Sequence, residues 1–514
     1  MNWPRNFVLA LMFVIVAAAF STASDIYIAQ NAAGGDTGTD CADAHAVSWF
    51  NSSANWGSKA GQIGPGTTVR LCGTLTSNLT ANGSGSSGGP ITILFESGAG
   101  ISLSSCGSMG CLNVAGKSYI VVDGGVNGVI EATNSGTGLG SGDSYGVYAR
   151  TCTSCEIKNL TIRNMYIHNG ASDNNGGNSY GIWLQGSNNL VHDNVIHDGV
   201  SGITVETNSS GNQFYNNTIY NVNWGIFESA GASTNAITNE KIYNNTLHDW
   251  ANWDTTADTF HHDGIFLSGN NAATNLTHVD VYNNYLFGTS SSSVTCAPAP
   301  GNGSCMTAYI YVNTDSYVRV FNNLLVANAG DPGPNNGWIL MYVDDHDSLY
   351  NNTVIGGGIV GPSNCVVLNS GTNFSFKNNI LSNCPTLLWT TGSPTFVSGG
   401  IDFNTYQNSS LTGAWRNGGS YYNTLADWRT AVGGESSSQA QTASLDLDSN
   451  YKPLSSSSAV TAAENLTTLG IITLDSDRAG IARPSGSTLW DAGAYQDLSN
   501  PVPQPPTGLS AQVN

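Results

Sequence analysis

One short phrase recurs along the chain and restricts what it can fold into. Its clearest copy is Tyr243-Asn244-Asn245-Thr246-Leu247. It returns as Tyr215-Asn216-Asn217-Thr218-Ile219, Tyr282-Asn283-Asn284-Tyr285-Leu286, Phe321-Asn322-Asn323-Leu324-Leu325, Tyr350-Asn351-Asn352-Thr353-Val354 and Lys377-Asn378-Asn379-Ile380-Leu381, with a weaker copy at His192-Asp193-Asn194-Val195-Ile196. Steps between the second asparagines are 23, 28, 39, 39, 29 and 27 residues. Repetition on this scale marks a repeat architecture, in which each unit buries its apolar face only against its neighbours. Runs such as Lys241-Ile242-Tyr243 and Val318-Arg319-Val320-Phe321 flank the Asn pairs. They are too short for helices and rich in β-branched and aromatic residues, so they read as strands. Asparagine tolerates the left-handed backbone that a sharp corner between strands needs. Corners stacked in register let Asn side chains hydrogen-bond up and down a column, as in cross-β stacks.

On these corners and strands, from Val114 to Tyr406, the chain resembles the right-handed parallel β-helices of pectin-lyase-like carbohydrate enzymes, which carry an asparagine ladder. The resemblance implies an all-β fold: a single-stranded right-handed parallel β-helix with an Asn ladder and an N-terminal cap. It leaves function open, because lyases, hydrolases, esterases and non-enzymatic adhesins share this scaffold.

A solenoid buries a continuous core however long it grows, so 514 residues need not mean several globular domains. Residues 1–24 read as a signal peptide, with Arg5 as the charged start, an apolar core from Phe7 to Phe20, and Ser21-Thr22-Ala23 as a cleavage site. That core of fourteen residues is too short to span a bilayer. Ten cysteines fit an exported chain. Their spacing suggests the pairs Cys106–Cys111, Cys152–Cys155, Cys296–Cys305 and Cys365–Cys384, which leaves Cys41 for Cys72. Cys152-Thr153-Ser154-Cys155 also has the spacing of a redox or metal motif, without a second such pair to complete it. A formal charge of −20 disfavours nucleic acid and anionic membranes as partners, and strongly anionic polysaccharides unless a cation intervenes.

Taken in order, residues 25–112 read as the N-terminal cap and first irregular turns, opened by a strand at Asp25-Ile26-Tyr27-Ile28-Ala29, with a short capping helix between Trp49 and Trp56. Residues 113–440 read as the β-helix, and 441–498 as a closing segment that caps its C-terminal end. Residues 499–514 are a Pro-rich linker, and Pro506-Thr507-Gly508-Leu509-Ser510-Ala511 resembles the first strand of a fibronectin type III module, so further C-terminal modules are expected.

A second phrase opens the regular turns: Tyr145-Gly146-Val147-Tyr148, Tyr180-Gly181-Ile182-Trp183, Ser201-Gly202-Ile203-Thr204, Trp224-Gly225-Ile226-Phe227 and Asp263-Gly264-Ile265-Phe266. Strand alternation places Val147, Ile182, Ile203, Ile226, Ile265 and Ile310 inward as one aliphatic column. It places Tyr148, Trp183, Thr204, Phe227, Phe266 and Tyr311 outward, as an exposed aromatic stripe on which sugar rings could stack. Coverage of that stripe by a long loop or a partner, or the opposite strand phase, is the competing reading. Two long insertions flank the Asp263 strand, His248 to Phe260 and Ser290 to Ser304, and are placed as walls of a cleft over it. Trp183, Trp224, Phe266, Tyr311, Trp250 and Trp253 are the expected sugar contacts.

Ionisable residues concentrate at Asp254, Asp258, His261, His262 and Asp263, between those insertions. Asp263-Gly264-Ile265 resembles the Asp before Gly-Ile or Gly-Phe of polygalacturonases, which implies a catalytic carboxylate at Asp263. The following turn has Ala308-Tyr309-Ile310 where that family has its paired Asp, and the family's His-Gly and Arg-x-Lys elements are missing. A second cluster is Asp344-Asp345-His346-Asp347. Strands ~4.8 Å apart place it ~10 Å from Asp263 before any offset along the strand. Inverting glycosidases need carboxyls roughly 6.5–9.5 Å apart, so Asp263 with Asp344 or Asp345 is a candidate pair, with His262, His261, Asp258 or Glu228 as alternative acid–base groups. Asp344, Asp345 and Asp347 are also calcium candidates, although hydrolysis itself requires no cofactor. Lys241, Asp280 and Arg319 recur at one place in successive turns and read as a charge ladder rather than a lyase base. His168, His197 and His248 each close a similar strand and read as turn caps.

The resulting expectation is a secreted, monomeric, carbohydrate-active enzyme, a glycoside hydrolase working in a groove along the first parallel sheet on a polysaccharide or other glycan. A calcium-dependent polysaccharide lyase and a non-catalytic glycan-binding surface protein or adhesin are the alternatives.

Overall fold

At each Asn pair the first asparagine takes the left-handed conformation, with φ between +52° and +63° at Asn216, Asn244, Asn283, Asn322, Asn351 and Asn378. The second turns its side chain into the interior. Asn194, Asn217, Asn245, Asn284, Asn323, Asn352, Asn379 and Asn404 are all buried. Each Nδ2 donates to the Oδ1 of the next at 3.0–3.1 Å. Each Oδ1 from Asn217 to Asn404 also accepts the backbone N–H of the preceding ladder residue. The ladder therefore satisfies buried corner amides that no strand partner reaches.

These corners stack into the right-handed parallel β-helix of the computed structural model, which describes residues 25–133, 143–166, 179–231, 236–250, 262–270, 272, 274–288, 306–328, 333–334, 336–358 and 363–497. Parallel pairing begins at once, with Asp25–Ala29 on Thr68–Cys72 and Thr68–Cys72 on Ile91–Phe95, so it already runs through the segment read as a cap. It ends with Thr405–Gln407 on Gln439–Gln441. A four-residue helix, Val47–Phe50, contains Trp49, and Trp56 lies beyond it.

Three faces follow one another around each turn. The first sheet runs through Ser179–Ser187, Asp263–Ser268, Ala308–Asn313, Gly337–Tyr342 and Asn364–Asn369. The second runs through Gln213–Tyr215, Lys241–Tyr243, Asp280–Tyr282, Arg319–Phe321 and Ser348–Tyr350. The third follows each Asn corner, as in Thr246–His248 and Tyr285–Phe287. Val147, Ile182, Ile203, Ile226, Ile265 and Ile310 stack in register and are fully buried, as strand alternation requires. Lys241, Asp280 and Arg319 are likewise in register, and Arg319 grips Asp280 through two bonds of 2.6 and 2.8 Å.

Residues 441–497 bond to the last rung, where Gln439 Nε2 donates to the Ser458 carbonyl, and also run back along the side of the solenoid. Leu474, Trp490 and Ala492 pack on Tyr282, Phe321, Tyr350 and Ile380, covering the outward rings of successive turns from the side. Arg483 Nη2 donates to Asn322 Oδ1 at 2.9 Å and Asn378 Nδ2 to the Glu464 carbonyl at 2.9 Å. The segment thereby uses left-handed corner asparagines whose side chains the inner ladder leaves outside.

Disulfides join Cys41–Cys72, Cys106–Cys111, Cys152–Cys155 and Cys365–Cys384, which excludes a free Cys152/Cys155 motif. Cys296 and Cys305, His168, residues 1–24 and the 499–514 tail lie outside the described residues. Among the described residues no helix is long and apolar enough to cross a membrane.

Candidate functional site

The glycine of the Tyr-Gly-Val-Tyr phrase decides which side chains reach the outer face of the first sheet. Tyr145 pairs with Tyr180 and Val147 with Ile182 in one register, so Gly146 and Gly181 between them lie level with each other. A Cβ on Gly146 would lie 2.5 Å from Ile162 Cγ2, and one on Gly264 would lie 2.7 Å from Leu286 Cδ2, so both glycines face the core. Glycine and the aliphatic residue after it both point inward, which leaves the residues on either side pointing outward. Tyr145 and Tyr148 accordingly stack at 5.8 Å, and Trp224 and Phe227 at 5.0 Å. The outer face therefore carries two columns: Tyr145, Tyr180, Ser201, Trp224, Asp263, Ala308 and Gly337 in one, and Tyr148, Trp183, Thr204, Phe227, Phe266, Tyr311, Leu340, Val367 and Trp389 in the other.

The second column stacks as expected, Phe227 on Phe266 at 5.2 Å and Phe266 on Tyr311 at 4.8 Å. It is not the exposed stripe anticipated from strand alternation. Phe266 and Tyr311 retain only 7% and 5% exposure, while Tyr148, Trp183, Trp224 and Phe227 are half-buried. Trp250 is a core residue, 1% exposed and edge-on to Tyr309 at 5.4 Å, and so is no sugar contact.

Asp263 opens its strand and is fully buried, with Oδ1 accepting the Ala308 N–H at 2.9 Å. Its negative charge, after burial itself, helps push the Tyr311 hydroxyl well above the usual phenol range. His262 is buried beside it, and its carbonyl accepts the Thr307 N–H at 2.8 Å. Asp258, His261, Trp253 and Asp254 lie outside the described residues.

The structure does not bring Asp344 to Asp263. Asp263 aligns with Ala308 and Gly337, and Asp344 lies seven residues beyond Gly337, past the end of the strand and a left-handed turn at Val343 (φ +62°). Asp344 turns inward, where its Oδ1 accepts the Thr314 N–H at 3.0 Å, and burial together with the Asp347 charge pushes its carboxyl up. Asp347 is equally enclosed, with Oδ1 on the Val318 N–H at 2.7 Å. Asp345 points outward instead: burial would raise its carboxyl, but bonds from Thr372, His346 and Asn373 outweigh that and lower it. The calcium candidates Asp344, Asp345 and Asp347 therefore do not form one set. Asp315 takes the place of Asp345, and the acid oxygens of Asp315, Asp344 and Asp347 lie within 4.8 Å of one another. Glu228 is also inside, in the column of Val205, Leu267 and Val312, so it cannot serve as an acid on the outer face. His197 and His248 pair with Asp198 and Asp249 at 2.6 and 2.8 Å and stack on Tyr220 from either side, a structural column at the turn.

A polar group that sequence reasoning missed occupies the partly exposed end of the outer face. Arg150 lies 4.7 Å over the Trp183 ring and forms an ion pair of 3.1 Å with Glu206. Trp183 packs against Tyr145 at 4.6 Å, Tyr148 at 5.4 Å and Tyr180 at 5.8 Å. Burial raises the Glu206 carboxyl despite the opposing effects of Arg150 and the Trp183 indole, so it keeps a proton further toward neutral pH than a free glutamate. A charged pair on an aromatic wall can orient hydroxyls while ring faces contact sugar C–H groups. The available signal was the Tyr-Gly pair itself, because a glycine forced inward sends both flanking tyrosines outward.

A family model described as "Right handed beta helix region" matches residues 118–298. No curated protein matches the chain. Solved structures that resemble it include the pectate lyase Pel9A (16% identity, TM-score 0.39, covering 93% of this chain and 97% of that one). A second is the complex of XylC with xylose (10% identity, TM-score 0.48, 92% and 98% covered). A third is the GH136 lacto-N-biosidase from Eubacterium ramulus (12% identity, TM-score 0.44, 82% and 68% covered).

Proposed function

We propose that this protein is an exported, carbohydrate-active enzyme that binds a glycan across the outer face of its first sheet and cleaves it by hydrolysis. The observation that carries the reading is the wall of outward aromatic rings, Tyr148, Trp183, Trp224 and Phe227, with Arg150 and Glu206 set on it and Asp263 one turn beyond Trp224. Half-buried rings beside a charged pair are the recognition chemistry of a sugar, with apolar ring faces for stacking and a few fixed polar groups for orientation. Asp263 is the principal carboxylate and His262 its acid–base neighbour; Trp183 and Trp224 line subsites, with Phe266 and Tyr311 as their buried backing. The formal charge of −20 favours a neutral or weakly acidic polysaccharide. The disulfides are in keeping with an oxidising, extracellular setting.

A second reading, glycan binding without cleavage, is supported by the register, which sets Asp344 seven residues past Gly337, the residue in line with Asp263. One panel separates the readings. The wild-type protein, Asp263→Asn and Trp183→Ala are incubated with neutral and uronate-containing polysaccharides, following reducing ends and the ultraviolet absorbance of unsaturated uronates. Reducing ends without that absorbance, lost in Asp263→Asn, support hydrolysis. Absorbance abolished by a chelator means a lyase and overturns the proposal. Binding lost in Trp183→Ala, with no cleavage by any form, establishes the binding module instead.

A further inference from the structure

Inside the solenoid, where the first sheet turns toward the second, carboxyls from two successive turns converge. The bridge between Ser316 and Asp345 sets Asp315 beside Asp344, and Asp347 follows three residues later. Exposure is 0% for Asp315, 2% for Asp344 and 0% for Asp347, and one oxygen from each lies within 4.8 Å of the others. Three carboxylates in a closed interior repel one another and have lost their hydration, a cost of several kcal/mol per unpaired ion. Among the described residues no Lys, Arg or His forms an ion pair with any of them; the nearby His346 is engaged with Asp345 at 2.9 Å.

The hydrogen bonding shows which oxygens are committed. Asp344 and Asp347 each use Oδ1 to accept a backbone N–H of the preceding turn, from Thr314 and Val318. That is the task asparagine performs throughout the ladder, as when Asn284 Oδ1 accepts the Asn245 N–H. An asparagine would do it without charge. The acids instead add a second oxygen, and Asp344 Oδ2 and Asp347 Oδ2 have no hydrogen-bond donor. The enclosed Asp315 meets only the Asn313 N–H and the Asp347 carboxyl, and neither contact has good hydrogen-bond geometry. Asp315 and Asp347 thus meet side chain to side chain, with one oxygen from each of the three acids within 4.8 Å of the others.

We propose that Asp315, Asp344 and Asp347 hold a structural divalent cation, calcium by preference, which clasps the turn at 314–318 to the turn at 343–347. Oxygen ligands about 2.3–2.6 Å from calcium stand up to about 5 Å from one another, the range these carboxyls already occupy. An all-oxygen set without Cys or His favours a hard cation over zinc or copper. The ion sits inside the lumen, away from the outer face, so this assignment stands whether or not that face cleaves a glycan.

The test is elemental analysis of the full chain purified in metal-depleted buffer, followed by unfolding in denaturant with EDTA and refolding with calcium chloride or with EDTA. Expected are one calcium per chain and a melting temperature several degrees higher after refolding with calcium. Asp315→Asn should lose the ion and the calcium response together. A double Asp344→Asn, Asp347→Asn variant keeps both ladder hydrogen bonds and should do the same, which guards against misfolding of the first. No calcium above the buffer blank with refolding indifferent to EDTA, or full calcium retained by either variant, overturns the proposal. In the first of those outcomes the carboxyls are neutralised by protons instead.

Discussion

Replacing Glu228 by methionine should stabilise the protein, and by more the higher the pH. Glu228 is fully buried among Val205, Leu267 and Val312 of the adjacent turns, and neither carboxyl oxygen has a hydrogen-bond donor. Burial pushes its pKa to about 8, against 4.5 for a free glutamate. Between those two pH values the native state holds a proton that the unfolded chain has released. Stability therefore falls as pH rises from the unfolded toward the folded value, by about 1.4 kcal/mol per unit and about 5 kcal/mol over the interval. Below pH 4.5 both states are protonated and this penalty vanishes. Glu240 feels burial first and then the Glu228 charge, which push its carboxyl up as well, so removing Glu228 should also ease ionisation there. Methionine matches the length of glutamate, and Met341 already occupies the same column. The assay is urea unfolding of the wild type and Glu228→Met at pH 5 and pH 8, comparing midpoints at constant slope. The gap in favour of the variant should open by several kcal/mol between the two pH values. A gap that is the same at both, or a variant less stable at pH 8, would refute an ionisable group buried without compensation.

Three further substitutions probe the scaffold. Asn284→Ala removes four hydrogen bonds, two accepted from Asn245 and two donated to Ile242 and Asn323, and should cost about 3–6 kcal/mol in urea unfolding because buried partners are left unsatisfied. Gly264→Ala places a Cβ 2.5 Å from the Tyr309 carbonyl and 2.7 Å from Leu286 Cδ2; it should lower the melting temperature, at a cost of about 1–3 kcal/mol, and displace the adjacent Asp263. Arg319→Ala should cost under about 1 kcal/mol, and less in high salt, because the Arg319 side chain is 40% exposed. A large, salt-independent loss there would mean that this charge does more than pair with Asp280.

The solenoid itself was legible in the sequence because its determinants are local and periodic. An Asn-Asn corner must go left-handed and inward wherever it occurs, and a short β-branched run on either side can only be a strand. The inward aliphatic column and the Lys241–Asp280–Arg319 ladder follow from the same period, three cysteine pairings from closeness in sequence, and Cys41–Cys72 from what those left over.

The site was less legible, since it depends on which way side chains turn once the coils are stacked. Strand alternation from Tyr148 assigns Tyr145 no outward role; only the steric demand at Gly146, seen when Ile162 comes to lie beneath it, sends both tyrosines out and makes room for Arg150 and Glu206 on one wall. In sequence Asp344, Asp345 and Asp347 are one acidic run. In the structure a left-handed residue at Val343 and another at His346 turn the first and last inward and the middle one out. Counting turns placed Asp344 near Asp263, but the offset along the strand depends on the pairing register. Period and corner chemistry determined the fold from sequence alone, because each turn repeats the same local contacts. Which carboxyls meet was decided only by the stacking, because that depends on contacts between residues a full turn apart and on backbone bends that no single turn specifies.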